Sequence, residues 1–226
     1  IDDCLGRVAL KLATSARMGE TAPRLGIVDD SSTVILDLSS LGVQGGMLEL
    51  VRGGDAALDR VADLARQAPA PAKIPLSVVI LHAPLVPPRN GFCVGKNYHA
   101  HAREFHDSGF DAASKSVSDP IPPFPIIFTK ATTTVSAPLA PIPASLDDTN
   151  TVDYEGELAV IIGRGGRGSG RDAALDHVFG FTIVNDVTSR KLQRVGIGFS
   201  PPKFLQAEQQ VRIEIDGIGT LENRVE

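Results

Sequence analysis

The stretch VDYEGELAVIIG, residues 152–163, combines an aliphatic strand pattern with two closely spaced acidic residues, and it decides how the rest of the chain is interpreted. Its second half is rich in residues that favour a β-strand. Because side chains two residues apart project from the same face of a strand, Glu155 and Glu157 are predicted to lie side by side. A divalent cation would remove their mutual repulsion. A solvated strand face explains the spacing equally well.

A third carboxylate, Asp186, ends the apolar run GFTIVND, residues 180–186. A strand would deliver it to the edge of a loop, where functional groups often lie. No His or Cys stands at ligand spacing beside these residues. Ligation by carboxylates alone favours Mg²⁺, Mn²⁺ or Ca²⁺ over Zn²⁺.

The rest of the chain divides into two regions that differ in their sequence pattern. Residues 1–83 alternate the strand-like runs RVALKLA (7–13), RLGIVDD (24–30) and TVILDLSS (33–40) with one helical pattern at 46–67. Prolines at 84, 87 and 88 then disfavour helix. Beyond them come short strands with many Gly and Pro: FCVG (92–95), PIIFTK (125–130) and VRIEIDGIGTL (211–221), the last with Asp216-Gly217 as a hairpin turn. We therefore predict an α+β, β-rich protein with a small N-terminal domain, 1–84, and a second domain, 85–226.

A helix is predicted after Asn97, which can cap it, and it carries His101 and Glu104 three residues apart. The two side chains share one helix face, so the carboxylate can orient the imidazole as a general base. Taken alone, such a pair is more often part of a polar surface helix.

Four runs in this order resemble the fumarylacetoacetate hydrolase family: CVGKNYHAHAREF (93–105), PFPIIFTKATTTV (123–135), VDYEGELAVIIG (152–163) and GFTIVNDVTSRKLQ (180–193). The resemblance covers roughly residues 90–226. It implies a β-rich catalytic domain of mixed sandwich or roll type, a small N-terminal α/β domain, and a homodimer.

The resemblance also implies roles for individual residues. Glu155, Glu157 and Asp186 match the family's cation ligands, and His101 and Glu104 match its water-activating pair. Positions around the substrate are matched by Lys130, Arg190 and Gln193, and more weakly by Tyr98.

The reaction implied is metal-dependent hydrolysis of a carbon–carbon bond in an acylpyruvate or fumarylacetoacetate-like 1,3-dicarbonyl acid. The cation would chelate the 2-oxo acid and stabilise an enolate, while His101 takes a proton from water. Decarboxylation of a 2-oxo diacid, hydration or isomerisation of a 2-oxo alkenoate, and a ureidoglycolate-type lyase reaction remain open on the same site. A member of the family that binds its ligand without catalysis also remains open.

Two departures from the family pattern stand out. Lys191 follows Arg190 where relatives have an acidic residue. The chain also passes directly from KLQR to VGIGFSPPKFLQ, where relatives carry a longer stretch with a lysine and a Gly-Thr-Pro loop. We hypothesise that a segment is missing between Arg194 and Val195.

The run GRGGRG, residues 163–168, supports a rival hypothesis, because it follows a predicted strand and formally matches the dinucleotide-binding fingerprint. A nicotinamide-dependent oxidoreductase would fit it. The helix predicted after it, residues 172–178, is too short for a crossover, and a further glycine interrupts its start. A flexible loop is the better interpretation.

Composition limits the partners. The formal net charge is -5 and there is no block of Lys or Arg, which argues against duplex nucleic acid as a ligand. Two cysteines give no disulfide framework and favour a reducing compartment, with the cytoplasm as the expected location. No apolar run approaches the length of a membrane span, so we expect neither a membrane segment nor a membrane partner.

Overall fold

The computed structural model describes residues 9–100, 102–103, 121–193 and 203–226. The predicted pair His101 and Glu104 and the hypothesised junction after Arg194 lie outside these residues. The described strands are β1 Lys11–Arg17, β2 Arg24–Val28, β3 Val34–Asp37, β4 Lys73–Pro75, β5 Val79–Leu81, β6 Gly91–Gly95, β7 Ile126–Lys130, β8 Val152–Asp153, β9 Gly156–Ile162, β10 Val178–Asn185, β11 Thr188–Ser189, β12 Gln210–Ile215 and β13 Gly219–Arg224. The α-helices with both ends described are α1 Met47–Arg66 and α2 Arg190–Gln193, and residues 99–100 and 102–103, within the helix predicted after Asn97, are helical as well.

The N-terminal part is a five-stranded antiparallel sheet packed on one helix. Its strand order is β4-β3-β2-β1-β5. The apolar face of α1 packs against Leu25 and Leu36 of the sheet and against Leu38, which follows β3. Its buried side chains are Met47, Leu50, Val51 and Val61. Gly54, with φ of 58°, interrupts the helix. The helix and the strands predicted at 24–30 and 33–40 are confirmed within three residues, whereas the first strand lies four residues further along the chain than predicted.

The second part is built from hairpins. β6 pairs with β7, β9 with β10 and β12 with β13, all antiparallel, and the two-residue strands β8 and β11 form a further antiparallel pair. Gly217, with φ of 78°, lies in the predicted Asp-Gly turn between β12 and β13. The α+β, strand-rich class predicted from the sequence is confirmed.

The antiparallel pairing of β9 with β10 contradicts the dinucleotide-binding hypothesis. A dinucleotide fold needs parallel strands joined by a crossover helix, whereas here the connection is a glycine-rich loop followed by the 3₁₀ segment Arg171–His177. The nicotinamide-dependent alternative is therefore wrong for this loop. The α-helix predicted at 172–178 is a 3₁₀ helix instead.

The β9–β10 hairpin is anchored at both ends. Ile161 of β9 and Phe179 of β10 pack against the N-terminal core. At the other end, Gly156 lies close to Ile213 of β12, where an added Cβ would be 3.1 Å from the isoleucine side chain. Ile213 in turn packs on a second core of Ile142, Val152, Leu205, Val211 and Val225.

Two hairpins expose apolar faces. On β9, alternate residues Leu158, Val160 and Ile162 are 38%, 46% and 59% exposed, while Glu157, Ala159 and Ile161 between them are partly buried. On the β6–β7 hairpin, Phe92, Val94 and Ile127 are exposed on the face opposite Cys93 and Lys130. Each apolar face therefore lies on the reverse side of a strand that carries a predicted site residue.

Candidate metal and substrate site

The three predicted carboxylates lie on one face at the end of the β9–β10 hairpin. The ladder pairs Val184 with Glu157 and Asn185 with Gly156, and it continues where the Asp186 amide donates to the Glu155 carbonyl at 2.8 Å. Opposed residues of an antiparallel pair point to the same side. Asp186 therefore projects on the side that carries Glu155 and Glu157.

Lys130, at the end of β7, connects the neighbouring hairpin to this site. Its Nζ lies 2.7 Å from Asp186 Oδ1, and it also donates to the Val187 carbonyl and the Thr188 hydroxyl, both at 3.3 Å. Both charged side chains are largely buried, with 21% of Lys130 and 12% of Asp186 exposed. All three donors of the ammonium group are thus engaged at the Asp186 turn.

Arg190, at the start of α2, lies between two acidic residues, Asp153 and Glu155. Its Nε and one terminal nitrogen donate to Asp153 Oδ2 at 3.0 and 2.8 Å, and that terminal nitrogen lies 2.7 Å from Glu155 Oε1. The arginine side chain is only 2% exposed and that of Asp153 only 4%. A buried arginine between two carboxylates fixes the position of both.

Glu157 is the carboxylate of the three without a cationic partner in the described structure. Burial raises its pKa above the ordinary value, and the negative charges of Glu155 and Asp186 raise it further. A hydrogen bond from Tyr98 opposes the rise. The Tyr98 oxygen also lies 3.4 Å from the Leu158 amide, so the predicted Tyr98 does reach this strand.

Cys93 of β6 adjoins the same cluster. Burial raises the pKa of its thiol, with Asp186, Glu157 and Glu155 adding to the rise and Lys130 opposing it. The sequence pattern did not identify Cys93 as a site residue, because a single cysteine in an apolar run is usually a packing residue.

The structure therefore brings together Glu155, Glu157, Asp186, Lys130, Arg190 and Tyr98. The backbone of Gln193 lies at the end of α2, three residues after Arg190. Asp153, which the sequence reasoning missed, stands in the same VDYEG run and is found from its burial against Arg190. A pairing across 37 residues leaves no local pattern in the sequence.

The donor chemistry of the cluster fits a hard divalent cation, because three carboxylates share one face and two of them raise the pKa of the third, Glu157. As the described side chains stand, no three His, Cys, Asp or Glu converge in a ligand arrangement. Two of the carboxylates instead face Lys130 and Arg190. A cation would displace Lys130 from Asp186 and share Glu155 with Arg190.

A comparison with known protein families matches the part of the chain that contains these site residues. Positions 90–196 match the family described as fumarylacetoacetate (FAA) hydrolase, C-terminal. The oxaloacetate tautomerase of Bacillus subtilis is 39% identical over 159 residues, which are 67% of this chain and 50% of that protein. The chain thus spans about half the length of this curated relative.

Solved structures share the fold over nearly the whole chain. A fumarylacetoacetate hydrolase from Exiguobacterium antarcticum superposes with a TM-score of 0.71 at 25% identity, covering 96% of this chain and 99% of that one. Maleylpyruvate hydrolase from Sphingobium, solved with manganese(II) and pyruvate, has a TM-score of 0.69 at 20% identity, with 95% and 98% covered.

Among the described residues, no helix has both the length and the apolar character needed to cross a membrane.

Proposed function

Because the chain belongs to the fumarylacetoacetate hydrolase family, a family of enzymes, we propose that it is a divalent-metal-dependent enzyme that forms the enol or enolate of a small 2-oxo acid. The observation that carries this proposal is the clustering of Glu155, Glu157 and Asp186 on one face, with Lys130 and Arg190 beside them. Such a face combines cation ligands with positive groups able to attract an anionic substrate.

Glu155, Glu157 and Asp186 would hold the cation, and Mg²⁺ or Mn²⁺ suits oxygen ligands best, with Ca²⁺ also compatible. The manganese ion and pyruvate in the maleylpyruvate hydrolase structure support this choice. When bound, the cation would polarise the 2-oxo group and stabilise developing negative charge.

The chain's own residues would orient the substrate and move protons. Lys130 offers an ammonium group at the Asp186 turn, and Arg190 holds Glu155 in place. Tyr98, hydrogen-bonded to Glu157, provides a hydroxyl group beside the carboxylate face. His101 and Glu104 would act as the proton-transfer pair, and Gln193 would contact substrate, as the family resemblance implies.

Tautomerisation of a diacid such as oxaloacetate is the first reaction that we propose. The 39% identity to the Bacillus subtilis tautomerase supports it, and keto–enol exchange requires only a stabilised enolate and a proton shuttle. Hydrolysis of an acylpyruvate carbon–carbon bond is the second candidate, supported by the likeness to the Exiguobacterium hydrolase. It additionally requires an activated water. Decarboxylation, hydration and lyase chemistry have weaker support.

The test uses protein stripped with EDTA and reloaded with Mn²⁺ or Mg²⁺. Conversion of enol-oxaloacetate to the keto form is followed by ultraviolet absorbance, and acylpyruvate cleavage is followed by pyruvate release. We expect metal-dependent tautomerisation that Asp186→Asn abolishes and that Glu214→Gln, at an exposed position of β12, leaves unchanged. Metal-independent activity, or activity retained in Asp186→Asn, would refute the assignment. Pyruvate release without tautomerisation would favour the hydrolase.

We also propose that the enzyme acts as a homodimer formed through the exposed apolar faces of β9 and of the β6–β7 hairpin. Monomeric proteins rarely leave several large apolar side chains together in water. The exposed apolar side chains on these faces are Phe92, Val94, Ile127, Leu158, Val160 and Ile162. A two-fold symmetric contact brings the same patch of both copies together, and apolar side chains meet no like-charge repulsion there. A second copy of this chain is therefore the occupant that we propose.

A further inference from the structure

Asp147 is the centre of a compact hydrogen-bond cluster close to the site. Its Oδ1 accepts from the backbone amide and the hydroxyl of Thr149, at 3.0 and 2.6 Å, and its Oδ2 accepts from those of Thr151, at 2.8 and 3.4 Å. Asp147 is 7% exposed and Thr151 only 2%. These bonds hold the pKa of Asp147 at about 2, below its ordinary value. The carboxylate is thus an acceptor at every working pH.

Thr151 connects this cluster to the start of α2 through two hydrogen bonds. Its carbonyl accepts from the Arg190 amide at 3.0 Å, and its hydroxyl oxygen accepts from the Lys191 amide at 3.1 Å. The first amides of a helix have no partner within the helix, and a helix of four residues cannot hold itself together. The orientation of α2 therefore depends on Thr151.

Arg190 connects α2 to the carboxylates of Asp153 and Glu155. One of its terminal nitrogens serves Asp153 and Glu155 at once, at 2.8 and 2.7 Å. Because a single nitrogen is shared, a small shift of the α2 backbone would lengthen one of these contacts. The position of Glu155 is thereby linked to Asp147 through Thr151 and Arg190.

Resting on the proposed function, we propose that Asp147 and Thr151 are positioning residues that set the affinity of the site for its divalent cation by fixing Arg190 against Glu155. Loosening the cluster leaves the guanidinium charge in the site but releases the carboxylate from its fixed orientation. Cation affinity should fall, because groups that orient metal ligands typically contribute about 10- to 100-fold in affinity.

The first test compares Thr151→Val, which removes the hydroxyl and keeps the shape, with Thr151→Ser, which keeps the hydroxyl. Mn²⁺ itself is titrated by calorimetry into the metal-free protein. We expect Thr151→Val to weaken Mn²⁺ affinity about 10-fold, at the low end of the effect of groups that orient metal ligands, and Thr151→Ser to remain near wild type. Equal affinities in the two variants would overturn the proposal.

A stability control separates positioning from general loosening. Val211→Ala destabilises the core that also contains Val152, without touching the cluster. If Val211→Ala weakens Mn²⁺ binding as much as Thr151→Val does, the effect is only loss of stability and the proposal fails. Unchanged affinity in Val211→Ala supports it.

A double-mutant cycle tests the route through Arg190. If Thr151 acts through Arg190, Thr151→Val should have little further effect on Mn²⁺ affinity in an Arg190→Lys background, whereas independent effects add. Additivity would overturn the route. Should circular dichroism show Arg190→Lys to be unfolded, the comparison of Thr151→Val, Thr151→Ser and Val211→Ala still decides the proposal. A wild-type protein that binds no Mn²⁺ refutes the proposed function itself, whereas normal wild-type binding with unaffected Thr151→Val refutes only the positioning role.

Discussion

Glu157 is the residue at which burial and neighbouring charge act in the same direction, since both raise its pKa. A carboxyl group with a raised pKa holds its proton more tightly, and a proton competes with a cation for the same oxygens. We expect Mn²⁺ affinity, measured by calorimetry, to weaken as pH falls, and to begin weakening above the ordinary glutamate value of 4.5. Affinity that stays constant down to that value would argue against Glu157 as a ligand.

Folding stability gives an independent check on Glu157. Its folded-state pKa lies above the unfolded value, so its deprotonation disfavours the folded state, and this penalty is present only at pH above the unfolded pKa. Glu157→Gln should therefore raise the melting temperature of the metal-free protein at pH 8, and the gain should vanish at pH 4. A gain of equal size at both values would contradict the electrostatic cause.

Lys130 is the residue whose loss should be most visible in the metal-free protein. Lys130→Met removes three donor contacts at the Asp186 turn and leaves a largely buried carboxylate without its cation. We expect a loss of about 1–3 kcal/mol in the free energy of unfolding, measured with urea. Saturating Mn²⁺ should restore part of it. Lys73→Met, at an exposed position of β4, serves as the control.

At this scale the sequence predicts some features of the site and not others. The two-residue spacing correctly places Glu155 and Glu157 on one face, and Asp186 joins them because the hairpin register is short-range. The partners of Arg190 depend on contacts across more than 30 residues, which no local spacing encodes. The roles of His101, Glu104 and Gln193 stay predictions.

Among the elements, the glycine-rich loop after β9 is organised around one imidazole. His177 Nδ1 lies 2.8 Å from the Arg164 carbonyl oxygen and Nε2 lies 2.8 Å from the Ser169 hydroxyl. A Cβ on Gly166 would come within 2.3 Å of the ring. The glycine at this position therefore makes room for the histidine, an explanation that needs no nucleotide.

Replacing this histidine should separate loop order from site chemistry. His177→Ala is expected to lower the free energy of unfolding by about 1–2 kcal/mol through loss of two hydrogen bonds, with Mn²⁺ affinity and activity unchanged. Urea denaturation and calorimetry measure the two effects. Ser169→Ala, which removes one of the bonds, should cost less. A loss of Mn²⁺ binding in His177→Ala would show that the loop belongs to the site.

Elements with a long regular pattern are the ones predicted well. β9, β10 and the β12–β13 hairpin have alternating or aliphatic runs of six to eight residues. β4 and β5 were missed, because three residues are too few to show a period. The 3₁₀ segment Arg171–His177 was predicted as an α-helix, since the two differ in hydrogen bonding and not in composition.

For the whole molecule, the proposed dimer makes a direct prediction. Val160→Glu places a charge in the exposed apolar face of β9, and burying an unpaired carboxylate between two copies is strongly unfavourable. Size-exclusion chromatography with light scattering should show a fall from twice the chain mass of 23.8 kDa to that mass. Thr220→Glu, at an exposed position of β13, should remain dimeric. Two equal masses for wild type and Val160→Glu would refute this interface.

The strand-rich α+β class is evident from composition and turn signals, but the association of the parts is not. The division at Pro84 remains a prediction, and the cores show why sequence alone does not settle it. Leu85, Ile161 and Phe179, all beyond that proline, pack on the cluster formed by the N-terminal sheet and α1. Such contacts arise from the assembled surfaces and leave no trace in local spacing.

The anchoring of Ile161 has a practical consequence for protein engineering. Ile161 and Glu157 stand four positions apart on the same face of β9, about 13 Å along a rigid strand. The packing of Ile161 on the N-terminal core therefore sets the position of the carboxylates at the other end of the strand. A chimaera that exchanges the N-terminal sheet between relatives should therefore take Ile161 and Phe179 from the same parent as the sheet. A boundary placed at the prolines alone would separate these contacts.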